Sequence, residues 1–348
     1  MEFREKLGMG ITPEKRLKGV NKLKSSSTQI LLSIIIPFFN VKDKIGKILD
    51  CLKQQTDKNF EVIFINDGST DGTAEIVARE NSQIDCDGVR LINQDNKGPA
   101  IARNAGFEYA RGTYVYFLDA DDIISNCLVE CLELGLDKGQ ELPNVIVFGY
   151  EVVDNSAGTL ANPKFNSWRI GTVREYLMAA TTSRVGFGYL WNKFIQRQFI
   201  IMSNIHFEKF NYDEDAIFLS QLYLKVQSIS FSDDILYQYV QYPNSLTHAK
   251  KNYYESVRSL SRLNQITDEL SQEYALFENG LQLRIKLRLV FALVRKKRDL
   301  SSDELSIIRA LLKSIKSIHQ YISIKDQIAA LCITVLGVPG VRIIQFFL

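Results

Sequence analysis

Four short apolar runs, each closed by a polar or turn-forming residue, alternate with segments of helical spacing in the first part of the chain. The runs are 30–36, stopped by Pro37; 60–65, ending in Asn66-Asp67-Gly68-Ser69; 89–92; and 113–118, ending in Asp119-Ala120-Asp121-Asp122. Segments 41–54, 73–80 and 99–110 carry apolar residues at helical spacing between them. Continuous β-branched runs lacking polar alternation are the pattern of strands buried on both faces. Strands that alternate with helices predict an α/β architecture with a parallel sheet. Ligands of such sheets bind beyond the carboxyl ends of the strands. Asn40, Asp67 and Asp119 each follow a predicted strand, so all three are expected to face one cleft.

Further along, the pattern is mixed, with strands expected at 145–152 and 229–239. After Asn252 it turns helical over 255–294 and 302–321. This divides the 348 residues into a basic tail at 1–28, an α/β domain at 29–250 and a helical region at 251–348. Apolar residues make up 46% of the chain, enough for a large core and against global disorder. The net charge of +2 gives no footprint for nucleic acid. The five cysteines form no CxxC and no zinc-spaced grouping, which fits free thiols in a reducing compartment. No apolar leader follows the basic N-terminus, so a cytoplasmic location is expected.

Four clusters carry chemistry. Asp119-Ala120-Asp121, with Asp122, crowds carboxylates at a strand end. Their mutual repulsion is relieved by a divalent cation, and Mg²⁺ or Mn²⁺ there could also neutralise a diphosphate. A plain acidic turn would look the same. In Asn66-Asp67-Gly68-Ser69-Thr70-Asp71-Gly72, Asp67 either supports a tight turn or accepts hydrogen bonds from a nucleobase. Gly98 and Pro99 open a small-residue helix in which Arg103 can pair with phosphate or with an Asp. Glu214-Asp215 stands before an apolar run, either as a helix start or as a general base for an attacking hydroxyl.

Taken in order, these clusters resemble glycosyltransferase family 2. The matching segments are Ile34-Ile35-Ile36-Pro37-Phe38-Phe39-Asn40, Asn66 to Asp71, Gly98 to Gly106, Phe117-Leu118-Asp119-Ala120-Asp121-Asp122, Trp191-Asn192-Lys193 and Glu214-Asp215, across about residues 30–250. The resemblance implies a GT-A fold, a Rossmann-like and mostly parallel sheet flanked by helices, with a C-terminal helical extension. It implies inverting sugar transfer from a nucleotide diphosphate sugar, with UDP favoured, to a glycan or lipid-linked acceptor in surface polysaccharide synthesis, such as capsule or lipopolysaccharide. By position, Pro37, Phe39 and Asn40 would hold the nucleoside and Asp67 the base. Gly98, Arg103 and Ala120 would lie at the nucleotide sugar. Asp119 would be the ribose or metal-side carboxylate and Asp121 the direct metal ligand, Asp215 the base and Glu214 an acceptor contact, with Trp191 and Lys193 on the acceptor side. His248 would approach the metal or the diphosphate. Relatives often carry an Arg where Val240 stands here, so that Arg's part in assisting the diphosphate is not supplied at this position.

A non-catalytic nucleotide-sugar-binding or scaffold subunit is the alternative, but a scaffold needs neither the DxD nor the Glu-Asp pair. A dinucleotide-dependent oxidoreductase is excluded because no GxGxxG follows the first strand. Arg284, Arg288, Arg295 and Arg298 form a basic helical stripe suited to an anionic membrane surface. The uncharged stretch 328–341 is fourteen residues long, short of the ~20 needed to span a bilayer. It reads as an interfacial segment or a homodimer contact, which would place the protein peripherally on the inner face of a bacterial membrane.

Overall fold

The computed structural model describes residues 29–136, 141–154, 169–182, 188–241, 252–274 and 285–286. Within them, β1 (Leu32–Phe38), β2 (Phe60–Asp67), β3 (Gly88–Gln94) and β4 (Tyr114–Phe117) form the parallel half of one sheet. Three helices connect them: α1 (Ile45–Lys53), α2 (Thr73–Glu80) and α3 (Pro99–Tyr109). The second half of the sheet is mixed. It holds β5 (Ile123–Ile124), β6 (Val145–Asp154), β7 (Arg169–Gly171), β8 (Lys193–Gln196) and β9 (Ile229–Gln241). The strand order is β3-β2-β1-β4-β8-β6-β9-β5, with β7 on β9. β8 runs antiparallel to β4 and β6, while β6 and β9 are parallel. The remaining helices are α4 (Leu128–Gly135), α5 (Val173–Thr182), α6 (Arg197–Ser203), α7 (Glu214–Tyr223) and α8 (Tyr253–Glu273).

β1 shows why its run is apolar without a break. Leu32, Ile34, Ile36 and Phe38 pack with Ile48, Leu49 and Leu52 of α1 in one core cluster. Ile35 points the other way, into a second cluster with Ala102 of α3 and Ile65 of β2. Successive residues on a strand face opposite sides, and helices cover both. Each fully buried Ile adds about 1.5–3 kcal/mol of transfer free energy. α3 lies close to the sheet because its inward residues are small. A Cβ on Gly106 would stand 2.5 Å from Ile35 Cγ2.

Pro37 does not stop β1 as expected; the strand continues to Phe38, with Pro37 opposite Ile65 of β2. Pairing with β4 has ended at Ile35, so the missing amide hydrogen of Pro37 costs no ladder bond there. β2 and β3 also run further than the sequence reading, to Asp67 and Gln94. The expected helix from 255 is present as α8, which packs on α7 through Ile217, Leu263 and Ile266. The tail at 1–28, the region 302–348, His248 and the basic stripe at Arg284, Arg288, Arg295 and Arg298 lie outside the described residues. Among the described residues, no helix is long and apolar enough to cross a membrane.

Candidate functional site

At the carboxyl ends of β1 and β2, two loops are tied together by short polar side chains. The Thr70 N–H donates to Asn40 Oδ1 at 2.8 Å, and the Asn40 N–H donates to Ser69 Oγ at 3.1 Å. The N–H groups of Val41 and Lys42 donate to Thr73 Oγ1 and Asp71 Oδ2. Asn40 takes a left-handed backbone conformation, with φ 50°, which Asn tolerates better than most residues. This turn leaves the Phe39 ring 45% exposed beyond the strand end.

Asp67 is buried and already well supplied with donors. Its Oδ1 accepts from Gln94 Nε2 at 2.7 Å and from the Lys97 N–H at 2.9 Å, and its Oδ2 accepts from the Gly98 N–H at 2.9 Å. These bonds fix the start of α3 against the end of β2. Gly98 holds φ 86°, a left-handed conformation that favours glycine.

Arg103, one turn into α3, is the hub. Its guanidinium reaches Asp119 at 3.2 Å, Glu214 at 3.0 Å and Asp215 at 2.9 Å. Its side chain is buried and lies 5.6 Å from the Phe207 ring centroid, over its face. Burial disfavours the charge, but the carboxylates more than offset this and raise its affinity for the proton. Asn104 locks the same helix to Phe207 by a reciprocal pair of bonds at 2.8 and 2.9 Å. The carboxyl end of β4 and the start of α7 thus meet on one cation, although 96 residues separate Asp119 from Asp215.

Burial pushes Asp119 above the usual carboxylate range. Arg103 opposes this, while Asp121 and Glu214 add to it. Burial likewise raises Asp215 well above that range, against the pull of Arg103. Asp215 Oδ1 is buried and, although it faces the Arg103 charge, has no hydrogen-bond partner among the described residues. Asp121 is held differently: Lys44 Nζ stands 2.9 Å from its Oδ2. Asp122 turns away from the cleft and is raised to about 8 by burial and by Asp119. It accepts from the Tyr237 hydroxyl and, at 2.7 Å, from the Val240 N–H, pinning the acidic turn to β9. Val240 therefore contributes its backbone here, and its side chain is buried.

Trp191 and Lys193 are buried, at 5% and 0% exposure, rather than open to the cleft. Lys193 Nζ donates to the Tyr189 carbonyl and to Asn192 Oδ1. Burial lowers its pKa to about 7, with Asp215 pulling the other way. The structure thus gathers Asp119, Arg103, Glu214 and Asp215 directly, with Asp121, Asp67, Gly98 and Asn40 around them. Lys44 and Tyr189 were missed by the sequence reading. Lys44 left no signal beyond a cation just before a helix. Tyr189 left one, an alternating Tyr-x-Trp that matches Tyr237-x-Tyr239.

The donor set suits a hard divalent cation that completes its shell with phosphate oxygens, since Asp119 and Asp121 offer carboxylates at one turn and Asp121 is a third exposed. Among the described residues no group of three or more His, Cys, Asp or Glu side chains stands ready to hold a metal. In the present arrangement Lys44 and Arg103 neutralise the pair.

The profile described as Glycosyl transferase family 2 matches residues 33–199. The glycosyltransferase EpsJ of Bacillus subtilis (strain 168) is 32% identical over 221 residues, covering 62% of this chain and 63% of EpsJ. A glycosyltransferase of Haemophilus influenzae (strain ATCC 51907 / DSM 11121 / KW20 / Rd) is 32% identical over 205 residues, covering 58% of this chain and 76% of its own length. Among solved structures, S. aureus TarS 1-349 in complex with UDP-GlcNAc superposes with a TM-score of 0.63 at 18% identity, over 90% of this chain and 89% of the 1-349 chain. That likeness supports the GT-A fold.

Proposed function

Since the chain belongs to glycosyltransferase family 2, we propose that its cleft moves a sugar, with inversion, from a nucleotide diphosphate sugar to a hydroxyl of a glycan or lipid-linked acceptor. The carrying observation is Asp215: a carboxylate set beside the DxD turn by Arg103, with Oδ1 2.9 Å from the guanidinium and the side chain still 23% exposed. A base must present a lone pair to the hydroxyl it deprotonates, and a raised proton affinity makes it a better acceptor near neutral pH.

The donor would lie along the strand ends. The Pro37–Asn40 turn, with its exposed Phe39 ring, would hold the nucleoside, and Asp67 would meet the base. The α3 N-terminus at Gly98 offers its dipole to negative charge. UDP is the nucleotide to test first, because TarS, which shares the fold, was solved with UDP-GlcNAc. Asp119 and Asp121 would hold Mn²⁺ or Mg²⁺. Such an ion, when bound, supplies charge neutralisation for the departing nucleoside diphosphate.

The acceptor oxygen attacks the anomeric carbon as its proton passes to Asp215, and the carbon–oxygen bond to the diphosphate breaks on the opposite face. The diphosphate leaves with the bonding electrons. Glu214 sits beside Asp215 and shares its Arg103, so it can meet a neighbouring acceptor hydroxyl. The basic tail at 1–28 and the helical region from 251 are proposed as appendages to this domain, the latter as a contact for a membrane surface or a second copy. Growth of a surface polysaccharide at the inner face of a membrane is the setting in which this chemistry would act.

Asp215→Asn removes the base but keeps a similar shape. It should retain UDP binding, read by thermal shift, and lose at least about a hundredfold in transfer, the lower end of what a general base supplies. Near wild-type turnover by this variant would end the assignment of Asp215. The wild-type rate should rise with pH as Asp215 loses its proton, so activity lost on acidification is the matching sign.

A further inference from the structure

Beside Asp215 lies a stack of aromatic rings that the donor reading leaves unused. Trp191 is parallel to Tyr237 at 4.4 Å between centroids and to Tyr239 at 5.8 Å. Tyr189 stacks on Trp191 at 4.7 Å, and Tyr150 stands edge-on to Trp191 at 4.7 Å. Trp191 and Tyr237 are buried, but Tyr189 is 41% exposed. Two contacts bring the backbone that carries this ring against the start of α7, where the proposed base stands. A Cβ on Gly188 would lie 3.1 Å from Ala216 Cβ, so the Tyr189 backbone abuts the residue after Asp215. Lys193, which is coupled electrostatically to Asp215, donates to the Tyr189 carbonyl. At its far end the stack is tied to the DxD turn through the Tyr237 hydroxyl and Asp122.

We propose that Tyr189, seated on Trp191 beside Asp215, forms an acceptor subsite that takes the apolar face of a pyranose ring. This rests on the transfer reading above and narrows its acceptor to one whose accepting end is a sugar. The chemistry is complementary on both counts. A pyranose presents a face of C–H bonds, which meets the electron-rich face of an aromatic ring. Its rim carries hydroxyls, which need acceptors, and Glu214 and Asp215 open the helix whose Ala216 the Gly188–Tyr189 backbone meets. A ring already packed on Trp191 loses little freedom when a ligand covers it, so the platform is preorganised. An acyl chain is apolar all round and would gain nothing from carboxylates.

The reporter is in place, because Trp191 lies directly under Tyr189. In a Trp168→Phe background, which leaves Trp191 as the one tryptophan, emission is titrated with a panel of methyl pyranosides and disaccharides. UDP binding is followed separately by thermal shift. The expected result is a saturable change with at least one sugar, its half-saturation raised at least tenfold in Tyr189→Ala and within threefold in Tyr189→Phe. UDP binding should persist in both variants. Unchanged sugar affinity in Tyr189→Ala, silence across the whole sugar panel, or a response only to a detergent-dispersed polyprenyl phosphate would overturn the subsite. Failure of the wild type to bind UDP would instead sink the donor reading, whatever the sugars do.

Discussion

Arg103 shows how much one residue can organise. A buried guanidinium facing three carboxylates is stable only as a set, because removing it leaves Asp119, Glu214 and Asp215 crowded and uncompensated. Arg103→Met should therefore lower unfolding free energy by about 3–5 kcal/mol in urea at neutral pH, where breaking a buried pair has its full cost. A loss below about 1 kcal/mol would show that the cluster is held from elsewhere. Lys193 makes a prediction of opposite sign to an ordinary lysine. Burial depresses its native pKa to about 7, so between there and the unfolded value near 10.5 the unfolded chain binds the extra proton. Stability then rises with pH across that window, by up to about 1.4 kcal/mol per pH unit. Below pH 7 the buried charge is present in full and so is its cost. Lys193→Met should flatten the rise, and identical slopes for the two proteins between pH 7 and 10 would refute it.

Among the elements, α3 does the positioning. Its first turn is fixed to β2 by Asp67, its middle carries Arg103, and its inward face is cleared of bulk by Ala102 and Gly106. Close approach of helix to sheet is what lets one guanidinium span from β4 to α7. Gly106→Ala would drive a methyl group to 2.5 Å from Ile35 Cγ2 and 3.2 Å from Ile65 Cγ1. The helix must lift, at a cost of about 1–3 kcal/mol for overpacking, offset by less than about 1 kcal/mol from Ala's better helix propensity. A denaturation midpoint equal to or above wild type would mean that the helix moves freely. A measurable lift should also reduce transfer more than UDP binding, because Arg103 moves away from Asp215.

At the scale of the whole molecule, the parallel half of the sheet brings the loops after β1, β2 and β4 together, and Arg103 joins them to the start of α7. α8 packs on the back of α7, and Asp213 at the start of α7 accepts from Ser259 of α8, so the helical region braces the helix that carries Asp215. The expected ligand response belongs to this scale. UDP with Mn²⁺ at a hundred times its dissociation constant should stabilise the fold by about 2.7 kcal/mol, visible as a raised melting temperature. Chelator should remove most of that shift, since without the cation Lys44 and Arg103 alone face the diphosphate and the two carboxylates. A UDP shift indifferent to chelator would show that these two side chains suffice in place of a metal.

The apolar runs and the helical spacing between them carried the parallel strands and their order along the chain, because a strand buried on both faces has to be apolar throughout. The same regularity put Asn40, Asp67 and Asp119 at strand ends. Which acids share a cation lay beyond the sequence. Asp119 and Asp215 share Arg103 because Phe218 of α7 packs against Phe117 of β4 in one core cluster. The burial of Trp191 and Lys193, the pairing of Lys44 with Asp121, and the exposure of Tyr189 were likewise decided by tertiary packing. A side chain's charge, partner and accessibility depend on what the rest of the chain places around it, and spacing along the sequence specifies only its nearest turn or strand.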